Sequence, residues 1–286
     1  MGRIRLSGEN GGKGFSGLWA GCPLLDGFND GLNAGYGIVE DFCQIPLTGT
    51  ITSQAAWGGN WKAYGTASNT LTDGSALVGA TPSGEGGQLL MTQSTTGDQL
   101  CIQTISLPFQ ISAIATGPTQ KLWFECRLAL SSITAGGTTA QDLFVGLATQ
   151  QTLSSTVPFA SAATLASGGD FVGFRRLGSV GATGSTIYQS NGNTLQVSNA
   201  NKVVFVANTF TRLGFMFDPT AATLKFYQDG VQLGTYITST DLAAASETDF
   251  PNGVMLSPCI ALWADSTAPG TARIDWIACY QNRANS

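Results

Sequence analysis

The chain has 286 residues, no histidine, a net charge of −5 and only 11% charged side chains, against about 25% in typical soluble domains. Without imidazole, Ser-His-Asp and Cys-His catalysis and most transition-metal sites are excluded, and thirteen scattered basic residues cannot build the stripe that neutralises a phosphate backbone, so nucleic acid is not an expected partner. The length lets roughly three quarters of the unfolded surface be buried in one large domain, while sparse charge leaves little self-repulsion and suits either a chain packed among partners or a neutral β-domain.

Residues 1–39 form the first unit. Glycine recurs at positions 2, 8, 11, 12, 14, 17, 21, 27, 31, 35 and 37, and neither a period of 2 nor one of 3.6 survives, which reads as an extended arm. The arm still carries Phe15, Trp19, Leu24, Leu25, Phe28 and Tyr36, too many large apolar groups for a free linker. It is expected to order against something, its own domain or a neighbour. Arg3 and Arg5, with Phe15, Trp19 and Phe28, are the candidate partner-binding residues. The opening MGRIRLSGENGGKG has no apolar stretch of the kind a secretory leader needs. Synthesis in the cytoplasm with reduced thiols is therefore expected for Cys22, Cys43, Cys101, Cys126, Cys259 and Cys279, which form no CxxC pair. No run of about 18 apolar residues predicts a membrane span.

From residue 40 to 286 the pattern is that of strands. Val39–Ile45 starts it, and Trp57 and Trp61 flank the turn Gly58-Gly59-Asn60. Leu89–Met91 and Leu100–Leu107 follow. Trp123–Leu130 alternates cleanly, with Phe124, Cys126, Leu128 and Leu130 on one face and Trp123, Glu125, Arg127 and Ala129 on the other. Leu143–Leu147, Phe171–Phe174, Tyr188, Leu195–Val197 and Val203–Val206 continue the series. In Thr211–Tyr236, Leu213, Phe215 and Phe217 alternate with Arg212, Gly214 and Met216; Leu224 and Phe226 resume the beat. Asp229-Gly230 then suits the positive backbone angles of a two-residue type I′ turn. Arg273–Tyr280 closes the chain, with Ile274, Trp276, Ala278 and Tyr280 in phase. Helical periodicity is nearly absent; Asp241–Ser246 is expected to form at most one helical turn. Many short strands with turn signals between them predict an all-β, two-sheet antiparallel jelly-roll sandwich.

Few residues suggest chemistry. Arg175-Arg176 reads as a solvated or ion-paired surface feature. Gly84-Glu-Gly-Gly87 lacks the lysine and following helix of a phosphate loop. Glu247-Thr-Asp249-Phe-Pro-Asn252 offers three oxygen ligands in a row, short of the six to eight that calcium takes, and reads as a solvated loop. Trp57, Asn60 and Trp61 are the candidate glycan platform, with Trp263 and Asp265 a looser one. No cofactor and no metal are expected.

Four pieces in order carry a resemblance: Glu40-Asp41-Phe42, the strand Leu122-Trp-Phe-Glu-Cys-Arg-Leu128, the hairpin Lys225-Phe-Tyr-Gln-Asp-Gly-Val231, and the terminal Arg273-Ile-Asp-Trp-Ile-Ala-Cys-Tyr-Gln281. Together they resemble the concanavalin-A-like lectin/glucanase jelly roll, and within it the jelly-roll proteins of tailed-phage virions. The likeness covers residues 40–281. Enzymes of that fold carry their paired carboxylates as Glu-x-Asp-x-x-Glu on one strand; this chain has no such motif, and its nearest approach, Glu247–Asn252, has Asn in place of the second Glu and Pro251 within it. The resemblance implies a non-enzymatic virion structural protein of the capsid-decoration type. It would be made in the host cytoplasm and located in the virion, and it would bind the major capsid protein or other virion proteins, as a homo-oligomer such as a trimer. A carbohydrate-binding module with a glycan partner is the alternative. On this reading, deleting residues 1–39 should abolish particle association and leave the jelly roll folded.

Overall fold

The computed structural model describes residues 17–19, 22, 35–42, 49–51, 55–58, 60–65, 69–73, 87–105, 109–112, 120–149, 158–234, 237–238 and 249–283. One 3₁₀ turn, Gly17–Trp19, precedes the strands. The first are β1 (Gly35–Glu40), β2 (Gly49–Ile51), β3 (Ala55–Gly58), β4 (Trp61–Gly65), β5 (Asn69–Asp73), β6 (Leu89–Thr92), β7 (Gln99–Thr104) and β8 (Phe109–Gln110). Next come β9 (Leu122–Leu130), β10 (Gln141–Thr149), β11 (Phe159–Ser161), β12 (Thr164–Leu165), β13 (Phe171–Arg176), β14 (Thr183–Gln189) and β15 (Gln196–Val204). The last are β16 (Thr211–Asp218), β17 (Thr223–Gln228), β18 (Val231–Gln232), β19 (Met255–Ala264) and β20 (Thr271–Asn282).

Two nine-stranded antiparallel sheets face each other. Sheet A runs β18-β17-β16-β9-β20-β6-β5-β2, with β1 also on β20; sheet B runs β15-β14-β13-β10-β19-β7-β4-β3, with β8 also on β19. The all-β two-sheet sandwich expected from the alternation is what forms. Alternation builds it because each strand turns one side-chain set inward. Phe124, Cys126 and Leu128 of β9, Leu213, Phe215 and Phe217 of β16, and Val145, Leu147, Val172 and Ile260 of sheet B all lie in one buried cluster. Stacked Phe124 and Phe215 lie 5.0 Å apart, Phe215 and Phe226 5.7 Å. Phe226 then meets Phe174 of sheet B edge-on at 5.4 Å, so aromatic rings bridge the two layers. Asp229 (φ 50°) and Gly230 (φ 82°) form the turn between β17 and β18 in the left-handed region, as the pair demands. At this edge Gln228 accepts from Val204 N through Oε1 at 2.9 Å and donates through Nε2 to Val204 O at 2.5 Å, clamping sheet A to sheet B.

Four expectations change. β1 begins at Gly35 and pairs with β20 over six residues, from Gly35 opposite Asn282 to Glu40 opposite Ile277, so the strand crosses the 39/40 boundary and removing residues 1–39 would strip a sheet strand. The register of β20 shifts between Ile274 and Trp276. Ile274 therefore faces the main core while Trp276, Ala278 and Tyr280 face outward; a bulge adds one residue and reverses the face, which a period-two count cannot see. Arg176 is no surface residue: it is 1% exposed, donating through Nε to Gly181 O and through Nη1 to Gln141 O, each at 2.6 Å. The loop at Asp249 is tethered rather than free, because Asp249 Oδ2 accepts from Gln196 Nε2 at 2.7 Å and Phe250 is buried against Tyr188 and Phe217. Asp241–Ser246 lies outside the described residues.

Candidate functional site

The outer face of sheet B is built by the residues that alternate with its core set. Asp142, Phe144, Gly146 and Ala148 of β10 stand opposite Trp263, Ala261, Cys259 and Ser257 of β19. Cys259 and Ala261 stand in turn opposite Gln103 and Cys101 of β7. Phe144, Phe171, Ile187, Cys101, Cys259 and Ala261 form a second apolar cluster, and Phe159 and Leu165 of the β11–β12 hairpin lie over it. Phe159 is fully buried and Leu165 is nearly so. The hairpin is fastened by polar contacts: Gln99 Nε2 donates to Phe159 O at 2.6 Å, Ala163 N donates to Asp142 Oδ2 at 2.5 Å, and Gln189 Nε2 donates to Ala166 O at 3.2 Å. The middle of this face is thus filled by the chain's own side chains. Beneath the hairpin the Cys101 and Cys259 sulfurs lie 3.4 Å apart, and burial pushes the Cys101 thiol up, a shift its contact with Cys259 reinforces.

The carboxylates around this face serve backbone geometry. Asp98 Oδ2 accepts from the amides of Ser94 and Thr95 and from the Ser94 hydroxyl. Asp170 accepts from the Thr149 and Ser190 hydroxyls and from Asn191 N. Asp142 accepts from Gly178 N at 2.7 Å as well as from Ala163 N. Burial raises the Asp142 carboxyl above the usual range; those two amides and Arg176 pull the other way, and Asp265 adds to the rise. Among the described residues, no three His, Cys, Asp or Glu side chains converge as metal ligands would.

Of the candidate glycan residues, Trp57 falls at a register shift in the β3–β4 hairpin, and its side chain lies outside the described part. Asn60 is exposed at the turn. Trp61 is 3% exposed, packs 5.8 Å from the Phe42 ring and donates through Nε1 to Glu40 Oε2 at 3.2 Å. Trp61 is therefore a core side chain and not part of an open platform. Among the described residues, the partly open aromatics of this face are Tyr64 and Trp263, at the margin of the covered cluster; sequence reading singled out Trp263 but missed Tyr64, whose only signal was its alternation with the core residue Ala63.

Sheet A carries the other candidate surface. Its outer face presents Trp123, Trp276, Ala278 and Tyr280, and the arm residues Leu18, Trp19 and Cys22 cover them. Trp19 is fully buried and donates through Nε1 to Glu125 Oε2 at 2.7 Å. Glu125 is itself 1% exposed. Gly214 opens the slot for Leu18: a Cβ there would lie 2.6 Å from Leu18 Cδ2 and 2.7 Å from Phe124 O. Trp19, expected to meet a partner, thus sits on its own domain. Arg3, Arg5, Phe15 and Phe28 lie outside the described residues. A sequence signal for this seat existed: Trp123, Trp276 and Tyr280 fall on the outward phase of strands whose inward phase is already apolar, and a sheet apolar on both faces needs covering.

No family model and no curated protein matches the chain. Among solved structures it is similar to a protein of unknown function from Shewanella oneidensis MR-1, at 12% identity and a TM-score of 0.53, covering 89% of this chain and 91% of that one. Peanut lectin, solved with a 9mer peptide, is similar at 12% identity and a TM-score of 0.51, covering 88% and 99%. An endo-1,3-beta-glucanase from Streptomyces sioyaensis is similar at 14% identity and a TM-score of 0.50, covering 87% and 96%. At this identity the likeness concerns the fold, which is the concanavalin-A-like sandwich shared by lectins and glucanases.

Proposed function

We propose that the chain is a non-enzymatic structural module working through protein contacts, a virion protein of the capsid-decoration type in a tailed phage. The observation that carries the passive half of this reading is the closed outer face of sheet B. Phe159 and Leu165 fill its middle, and Asp98, Asp142 and Asp170 hold backbone amides rather than standing as an open acid/base pair. Sparse charge, at 11% of residues, supports stable contact with neighbours, and repetition over a symmetric shell would sum many weak contacts. The capsid half rests on the sequence resemblance. Purified full-length chain mixed with shells of the capsid protein encoded in its own genome should cosediment with them. Protein left in the supernatant at saturation, or turnover of a β-glucan by the chain, would overturn the reading.

A second reading, carbohydrate binding, is favoured by one observation: Tyr64 and Trp263 remain partly open on the sheet face, and aromatic rings with polar neighbours suit sugar stacking. A glycan array probed with wild type and Trp263→Ala decides it; signal lost in the variant supports the reading, and an array blank at millimolar glycan rejects it.

A further inference from the structure

Cys101 on β7 and Cys259 on β19 share the outer face of sheet B. Cys101 stands opposite Ala261 and Cys259 opposite Gln103, so the two are diagonal neighbours across adjacent strands, within side-chain reach of each other. Their sulfurs lie 3.4 Å apart. A disulfide needs about 2.05 Å, and the gap of about 1.4 Å is shared between two side chains that turn about their Cα–Cβ bonds. Contact alone does not oxidise them. Both residues are buried in an apolar cluster with Phe144, Phe171 and Ala261, beneath Phe159 and Leu165 of the β11–β12 hairpin. Exchange with an oxidant needs a thiolate and a path of approach. Burial withholds both, since it pushes the Cys101 thiol up and leaves the hairpin over the sulfurs. That hairpin is a two-stranded sheet of its own, fastened by Gln99, Asp142 and Gln189 side chains. It can lift as a local opening without breaking a ladder bond of the sheet beneath.

We propose that Cys101 and Cys259 form a disulfide site gated by the β11–β12 hairpin, oxidised by a small-molecule disulfide when the hairpin lifts. One cysteine, as thiolate, attacks the S–S bond of the oxidant, forming a mixed disulfide and releasing one small thiol. The other cysteine, as thiolate, attacks the protein sulfur of that mixed disulfide and displaces the second small thiol. The protein gives up two protons and two electrons, and the oxidant leaves as two thiols. The new bond joins central strands of sheet B whose cysteines lie 158 positions apart in sequence, a long loop whose closure restricts the unfolded chain. The proposal goes beyond the virion reading and does not depend on it, because the bond is measurable in the isolated chain.

The test uses the reduced full-length chain, incubated folded with oxidised glutathione at neutral pH, quenched in acid, then unfolded and alkylated. Mass spectrometry should find two of the six cysteines protected from alkylation, no glutathione retained, and a peptide linking Cys101 to Cys259. Phe159→Ala should acquire that link several-fold faster than wild type; Leu165→Ala serves as a second lid variant if Phe159→Ala misfolds by circular dichroism. Oxidised wild type should melt above reduced wild type, a difference missing from Cys259→Ser. Alkylation of all six cysteines after prolonged incubation, glutathione held at either position, or a link through another cysteine would each overturn the site. A link formed at the same rate with and without the lid side chain would overturn the gating by the hairpin. The capsid cosedimentation above is a separate measurement, and either can fail while the other holds.

Discussion

At Asp229 and Gly230 the backbone angles are positive, and the second position tolerates them because glycine lacks a Cβ. Gly230→Val places a β-branched residue in the left-handed region, and a loss of about 1–2 kcal/mol is expected from that conformation. Urea denaturation measures it; an unchanged midpoint would show that the turn is dispensable. Asp142 makes a different kind of prediction. Burial holds its folded carboxyl above the usual value despite the Gly178 and Ala163 amides. A raised acid contributes stability that is complete below the unfolded pKa and is lost as pH rises through the folded one. Acidification from neutral pH should therefore raise the melting temperature of wild type relative to Asp142→Asn, until the pH falls below the unfolded carboxyl range. Asp218 runs the opposite way: burial opposes its charge, but Lys121 Nζ and the amides of Ala221 and Thr220 outweigh burial and hold the carboxyl low. Its contribution is present above the unfolded value and is lost on strong acidification. A pH profile of Asp142→Asn parallel to wild type would contradict the assignment.

At the level of elements, two short segments do unequal work for their length. The β11–β12 hairpin covers the outer face of sheet B chiefly with Phe159 and Leu165. Phe159→Ala should cost about 3–5 kcal/mol, as truncation of a buried aromatic ring does, and should increase binding of a hydrophobic dye. If neither stability nor dye binding moves, the face is not closed in solution. The arm segment depends on one indole. Trp19→Phe keeps an apolar ring but removes the donor to Glu125, and loss of a buried hydrogen bond is expected to cost about 1–3 kcal/mol; chemical denaturation at neutral pH reads it. The hairpin was not legible as a cover, and the arm was legible only as a segment that must order against something, its own domain or a neighbour, not as the cover of this face. Phe159 and Leu165 have no repeating neighbours to reveal a face, and Trp19 stands in a Gly-rich stretch without period. The strands they cover were legible, because alternation in β9, β16 and β17 reports its buried face directly. The β20 bulge was the exception: one extra residue at Asp275 leaves the local pattern apolar while sending Trp276, Ala278 and Tyr280 to the other side.

For the whole molecule, the arm and the sandwich are one folded body along β1. Deleting residues 1–39 removes nearly all of the strand paired with Gly35's partner Asn282 through Val39's partner Ala278 and uncovers Trp123, Trp276 and Tyr280. The truncated chain is expected to melt at a lower temperature with a broadened transition. A truncation melting like the full chain would return the arm to the status of an appendage. This changes how the virion reading is to be probed: loss of particle binding by that deletion would report unfolding, so point variants at Leu18 and Trp19 are the sharper tools.

Composition and period-two alternation by themselves determined that the chain is an all-β antiparallel sandwich, that Asp229-Gly230 turns a hairpin, and that histidine chemistry is absent. These are local properties, set by side-chain order along single strands and by the residue inventory. Tertiary structure alone decided that Trp61 belongs to the core, that Arg176 is buried on carbonyl oxygens, that sheet B is closed by a hairpin, and that Trp19 seats on Glu125 across 106 positions of sequence. Those outcomes depend on which segments meet across the sandwich. A single strand's sequence reports which of its faces is apolar, but not what arrives to cover it.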